Sequence, residues 1–374
     1  MKFNIWEDYE YMDLPDVLLF IVDNRGKTVP TDENGNHMLI ATNCIRNEHL
    51  YPLYEKIRLI NEETYQTWFR AHPLPGDIIF VNKGTPGRVC LVPEPVDFCI
   101  AQDMMAFRVK PEIVYNKYLL AVLRSKKIQC QIEATTVGDV IPHFKKQHLH
   151  EIKIPIPPMR VQKLIGDYYF LFCEKEVLNE KINRNLQEQM QNLFVKKFPT
   201  IFTDIKGVVG DLIHFSNGKK RPETEGDVPV YGGNGILAYT NASNNGNCII
   251  IGRVGAYCGS VYYSSKRCWI SDNAIAAKCA DGDFHFFSYY LLKNAALPNR
   301  HIGTSQPLLT QGILMAIPCG LPSKEEISEF NDICRPLQEM IDCNIEENMR
   351  IANLRDTLLP KLMSGELDVS DLDI

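Results

Sequence analysis

The one arrangement in this chain with the spacing of a catalytic centre is Asp139 followed by Glu151-Ile152-Lys153. This acid, acid-x-lysine order is the one with which metal-dependent nucleases hold Mg²⁺ and activate water. The pattern is short and frequent by chance. No P-loop, G-x-G-x-x-G, H-E-x-x-H or G-x-S-x-G occurs in the setting each requires. The Asp/Asn-Pro-Pro-Tyr/Phe tetrapeptide that positions a target base in DNA amino-methyltransferases is also missing. Tyr231-Gly232-Gly233-Asn234-Gly235 has the glycines of a phosphate cradle, yet no Lys-Ser/Thr follows, and a tight turn is the plainer expectation. The 12 cysteines stand singly, without C-x-x-C spacing, which fits buried reduced thiols and no metal site.

What the loops hold instead is the chemistry of binding. Lys83 and Arg88, and again Arg253 and Tyr257, lie on the turn after an apolar strand-like run. Lys27 and Lys219-Lys220-Arg221 follow the opening strand of each half, and Asn43 and Asn234 sit in the echoing segments Thr42-Asn43-Cys44-Ile45 and Gly233-Asn234-Gly235-Ile236. Lys145-Lys146 and Gln306 fall within two matched proline seams. Arg and Lys pair with guanine acceptors, Asn and Gln with adenine, and all can hold phosphates. Taken singly, each reads as a solvated surface group. Taken as a matched set on two similar domains, they read as DNA contacts.

The elements that must position them are written twice. Gly138-Asp139-Val140-Ile141-Pro142 leads to Ile154-Pro155-Ile156-Pro157-Pro158, and Gly303-Thr304-Ser305-Gln306-Pro307 leads to Ile317-Pro318-Cys319-Gly320-Leu321-Pro322. Gly138, Pro142 and Pro157 have the same spacing as Gly303, Pro307 and Pro322, which implies a duplicated unit. Gly76–Val81 aligns with Gly246–Ile251, Ala101-Gln102-Asp103 with Ser271-Asp272-Asn273, and Tyr118-Leu119-Leu120 with Tyr290-Leu291-Leu292. The repeat tests the nuclease directly, because Thr304, Ala316 and Pro318 stand opposite Asp139, Glu151 and Lys153. A function shared by both copies cannot rest on residues present in one.

Each seam runs into a segment without helix breakers. In 159–197 the apolar residues Leu164, Tyr168, Leu171, Leu178, Ile182, Leu186, Met190 and Leu193 approach a heptad stripe. After the capping box Ser323/Glu326, the second stripe reads Ile327, Phe330, Cys334, Leu337, Ile341, Asn344, Asn348, Ile351, Leu358 and Leu362. Pro336 should kink this helix or mark its real start. About 38 residues each would make a paired rod of roughly 55 Å. The expected architecture is therefore α+β: two similar αβ domains, 1–158 and 199–322, joined by two long antiparallel helices, 159–198 and 323–374, packed as a coiled coil.

Charge and composition are compatible with DNA. The net charge of −6 is uneven: residues 324–374 carry −8, leaving +2 for the remainder. No stretch approaches the roughly 20 apolar residues of a membrane span, and the acidic, interrupted N-terminus is unlike a signal peptide. A cytoplasmic protein is expected.

With these residues in view, the chain resembles the specificity (S) subunit of type I restriction-modification systems. The resemblance spans its length: Gly-Asp-Ile-Ile at 76–79, Gly-Arg-Val at 252–254, Ser271-Asp272-Asn273-Ala274, the first seam, and above all 354–367, Leu-Arg-Asp-Thr-Leu-Leu-Pro-Lys-Leu-Met-Ser-Gly-Glu-Leu, which looks like the family's C-terminal signature. The first helix departs from that signature, ending in Val195-Lys196-Lys197-Phe198 where the chain passes into a second domain. The resemblance implies two target-recognition domains that each read half of a bipartite, asymmetric DNA sequence, with the helices setting the unread spacer. It implies no catalysis by this chain and no cofactor of its own. Adenine methylation with S-adenosylmethionine would belong to two methyltransferase subunits, and ATP- and Mg-dependent translocation and cleavage to restriction subunits. A related single-methyltransferase (type IIB-like) system with a separate specificity subunit remains the alternative.

Overall fold

An apolar run without polar alternation has to be covered on both faces of a sheet, and Ile78–Val81 is such a run, with all four side chains buried. In the computed structural model, which describes residues 3–24, 28–138, 141–281, 284–303 and 306–367, this strand is interior to a four-stranded antiparallel sheet ordered Leu18–Asp23, Met104–Val109, Ile78–Val81, Val89–Leu91. Beside it lies a three-stranded sheet. In that sheet His37–Ile40 pairs antiparallel with Arg58–Ile60 and parallel with Phe98–Ile100.

The second copy fuses these two sheets. Its six-stranded sheet is ordered Ile213–Asn217, Ala274–Cys279, Asn245–Gly252, Val261–Ile270, Val228–Gly232, Gly235–Thr240. The long strand Val261–Ile270 pairs with both Asn245–Gly252 and Val228–Gly232. In the first copy the same work is split between Val89–Leu91 and Phe98–Ile100. In each copy a short opening strand pairs antiparallel with the seam, Tyr11–Asp13 with Lys153–Pro155 and Gly207–Val208 with Pro318–Cys319.

The aligned helices Asn116–Arg124 and His285–Asn294 close the two cores. Tyr118, Leu119 and Leu120 in one, and Tyr290, Leu291 and Leu292 in the other, are fully buried. Each buried Leu contributes roughly 1.5–3 kcal/mol of burial free energy. A second helix, Lys126–Thr135, follows the first directly, because Ser125 ends one and caps the other, accepting from the Ile128 amide.

The two long helices run from Met159 to Lys197 and from Lys324 to Met363. Contacts divide the chain into one unit of Met1–Lys181 with Ile345–Ile374 and another of Ile182–Asn344. Within each unit the helices pair antiparallel: Arg355 reaches Cys173 and Glu176, and Asn348 meets Asn179, in the first; Asn344 meets Asn183, and Lys197 meets Glu329, in the second. The capping box forms, with the Glu326 amide donating to Ser323 Oγ and the Ser323 amide to Glu326 Oε2. Pro336 lies within the second helix and does not start it.

The first helix corrects the sequence stripe over its opening half. The buried positions are Val161, Ile165, Tyr169 and Cys173, whereas Leu171 and Leu178 are 58% and 50% exposed. This half must serve the core of the first unit, and residues four apart share a helix face. Of the stripe expected beyond this half, Leu186 and Met190 are buried and Leu193 is partly so, with Phe194 beside it buried instead. Among the described residues no helix is long and apolar enough to cross a membrane.

Candidate nucleic-acid interface

Each sheet strand that precedes the basic turn ends in a loop clamped by main-chain hydrogen bonds. In the first unit the Asn82 amide donates to Asp103 O (3.1 Å), Phe144 to Asn82 O (2.8 Å) and Gly84 to Pro142 O (2.9 Å), while Val137 and His143 exchange both bonds. In the second unit Arg253 donates to Asn273 O (3.0 Å), Leu309 to Arg253 O (2.9 Å) and Gly255 to Pro307 O (3.1 Å), while Ile302 and Leu308 exchange both bonds. The start of each seam is thereby folded back onto the turn that follows the central strand. Gly138 and Gly303 make that fold possible: their φ values are +99° and +83°, and an added Cβ would lie 2.8 Å from Ile141 O and Gln306 O respectively.

This network shifts the sequence alignment by one residue. Ile78–Val81 and Ile249–Gly252 occupy the same ladder positions against their neighbouring strands, because a bulge between Gly246 and Cys248 absorbs an extra residue. Asn82 therefore stands opposite Arg253, and Lys83 opposite Val254. The scaffold repeats while the side chains on it do not.

In the second unit the candidate residues converge. Gly218 donates to Ala274 O and Lys219 to Ile270 O, and the Trp269 indole donates to Lys219 O, placing the exposed Lys219 beside Ser271–Asn273. The backbones touch there, since a Cβ on Gly218 would sit 1.9 Å from Ser271 O. Gly233, next to the exposed Asn234, lies against Gly252, Asn273 and Tyr257. Arg253 and Tyr257 follow on the same turn, and Gln306, exposed, is two residues before the Leu308 that bridges Val254. The Arg253 Nε is buried without a hydrogen-bond partner among the described residues. Lys220 and Arg221 continue from Lys219 as exposed side chains.

The first unit brings together fewer of its candidates. Lys83 bridges His143 and approaches Asp103 at 3.9 Å, and Lys145 is exposed two residues further along. Lys146 is tied to the buried Asp23 at 3.3 Å, so it holds the fold as well as facing solvent. Arg88 closes the turn, its carbonyl accepting from the Val81 amide. Asn43 occupies the strand end matching Asn234, but its amide is used locally, donating to Glu55 O. Lys27 lies outside the described residues.

Among the described residues, the nuclease arrangement is not assembled. Glu151 is exposed at the end of a short turn, Lys153 is paired with Asp13, and Asp139 lies outside the described residues. Among the described residues no group of three His, Cys, Asp or Glu side chains could hold a metal ion.

Two clamped loop clusters on one repeated scaffold match what the comparisons find. The model of a family described as the type I restriction modification DNA specificity domain matches this chain over residues 6–188 and again over residues 207–352. The chain belongs to that family. Its members are DNA-recognition subunits and not catalysts. The chain is 21% identical over 426 residues to the MjaVIII type I restriction enzyme specificity subunit of Methanocaldococcus jannaschii, covering 98% of this chain and 95% of that one. It is 22% identical to the MjaIX specificity subunit of the same organism over 79% of each. The type I restriction-modification system S subunit from M. genitalium shares the fold, with a TM-score of 0.55 and 19% identity over 97% of this chain and 98% of that chain.

For a specificity subunit, sequence reasoning missed two kinds of residue. Asn82 and Ser271 are buried polar groups inside the loop clusters, and the side-chain oxygen of each has no partner among the described residues. Ile236, Leu237 and Tyr239 form an exposed apolar edge beside Asn234. Strand pairing places these residues on Gly235–Thr240, the edge of the six-stranded sheet.

Proposed function

We propose that the two units each read one half of a bipartite, asymmetric double-stranded DNA target, and that the length of the two long helices fixes the unread spacer. The observation that carries this reading is the loop cluster built twice with the same main-chain bonds and different side chains. Asn82, Lys83 and His143 in one copy face Arg253, Val254 and Leu308 in the other. Different donors and acceptors on one scaffold read different base edges.

The chemistry belongs to partners in this reading. Two methyltransferase subunits transfer a methyl group from S-adenosylmethionine to adenine, and restriction subunits use ATP and Mg²⁺ to translocate and cut, all in the cytoplasm. Leu171 and Leu178 on the first helix, and Ile333 and Met340 on the second, are seven residues apart and about half exposed, which supports docking of partner helices along these faces.

The test is a methylome of cells that express the chain with its methyltransferase. A two-part motif methylated on adenine is expected, and exchanging residues 199–322 for those of another specificity subunit should change one half alone. A continuous motif, or a change in both halves, overturns the reading.

A further inference from the structure

The same ribbon is covered in one unit and half-exposed along its outer strand in the other. In the first unit the ribbon of His37–Ile40 and Arg58–Ile60 packs into a core with Phe69, flanked by Tyr65 and Trp68 from the segment around the helix Glu62–Thr67. In the second unit the matching ribbon, Val228–Gly232 with Gly235–Thr240, ends the sheet, and the chain passes from Thr240 to Asn245–Gly252 with no helix between. Ile236 and Leu237 are consequently 46% and 49% exposed.

The turn end of this ribbon sits in the loop cluster. Ile236 and Leu237 follow Asn234 after Gly235, Gly233 touches Tyr257, and Lys219 is hydrogen-bonded to the strand end Ile270 with which Tyr231 is paired. The charged groups are sorted along it. Lys219, Lys220 and Arg221 lead away from the turn end, whereas Glu223, Glu225 and Asp227 flank the far end, where Thr224 bonds Thr240 and Asn241. An apolar tip edged by Lys219, Lys220 and Arg221, with Asp272 the one carboxylate of the adjoining Ser271–Asn273 segment, is complementary to duplex DNA, whose major groove admits a two-stranded ribbon and displays thymine methyl groups.

We propose that Ile236 and Leu237 are specificity-determining residues that contact thymine C5-methyl groups in the half-site read by the second unit. The proposal rests on the bipartite reading above. An adenine-methylated half-site contains at least one A·T pair, so a methyl group is present for them to meet.

The experiment uses the assembled complex and its methylome-defined target, with each thymine of that half-site replaced in turn by deoxyuridine, which lacks only the methyl. At least one replacement should weaken binding by the unaltered complex about fourfold, the worth of one buried methyl. The Leu237→Ala or Ile236→Ala complex should be indifferent to that replacement, while Leu237→Met retains the response. The slope of affinity against salt should be unchanged in all variants, since no phosphate contact is removed. Uniform indifference of the unaltered complex to deoxyuridine overturns the proposal while the two-part motif, and hence the underlying reading, stands. Failure of Leu237→Ala to co-purify with the methyltransferase overturns it in favour of a protein contact. Absence of any two-part motif removes both.

Discussion

Arg355 and Glu176 show how a single pair commits the second long helix to the first unit. Both side chains are nearly inaccessible, at 9% and 14% exposure, and meet at 2.8 Å. Burial pushes the Glu176 carboxyl above its ordinary range, with Arg355 opposing that shift. Removing the guanidinium leaves a desolvated carboxylate without its counter-charge. Arg355→Ala is therefore expected to destabilise the first unit by about 3–5 kcal/mol, whereas Arg355→Met with Glu176→Leu should cost far less; thermal melting of the three proteins separates the cases. The arginine was legible as part of the C-terminal signature, but its partner was not, because 179 residues separate the two. Lys83 and Arg253 show the opposite error. They looked equivalent in sequence, and a single bulged residue moved them to different positions on the scaffold.

Helix seams and caps carry the register at the next scale. Asn179 is fully buried and donates to Glu347 and Asn348 across the helix pair, and Asn344 donates to Asn183. The sequence stripe exposed Asn344 and Asn348 as seam residues but not their partners. Asn348→Leu removes the Asn348 acceptor of a buried amide and should lower stability by about 1–3 kcal/mol, read as a drop in melting temperature. The cap at Ser323 makes a pH prediction. Hydrogen bonds from the Ser323 amide and hydroxyl hold the Glu326 carboxyl below its usual range. Its folded pKa is thus below its unfolded one, so its contribution is complete above about pH 5 and is lost as pH falls through the folded value. The melting-temperature gap between the parent and Glu326→Gln should accordingly close in acid. A gap that persists at about pH 3 would contradict the capping role.

For the molecule as a whole, lengthening both long helices by one turn should widen the unread spacer in the methylated motif and leave each half unchanged, which sequencing of the methylome reads directly. The sequence by itself determined the duplication, because equally spaced glycines and prolines are needed wherever a chain must adopt positive φ or break a strand, and those needs are local. It also determined both long helices, whose periodicity and capping box are local as well. Tertiary structure alone decided which face of the first helix is buried, since Leu171 and Leu178 satisfy a heptad yet the domain core claims the stripe beginning at Val161. It likewise decided that one ribbon is covered by Tyr65, Trp68 and Phe69 while its counterpart presents Ile236 and Leu237 to solvent. Burial depends on what arrives from distant sequence, and no local pattern records that arrival.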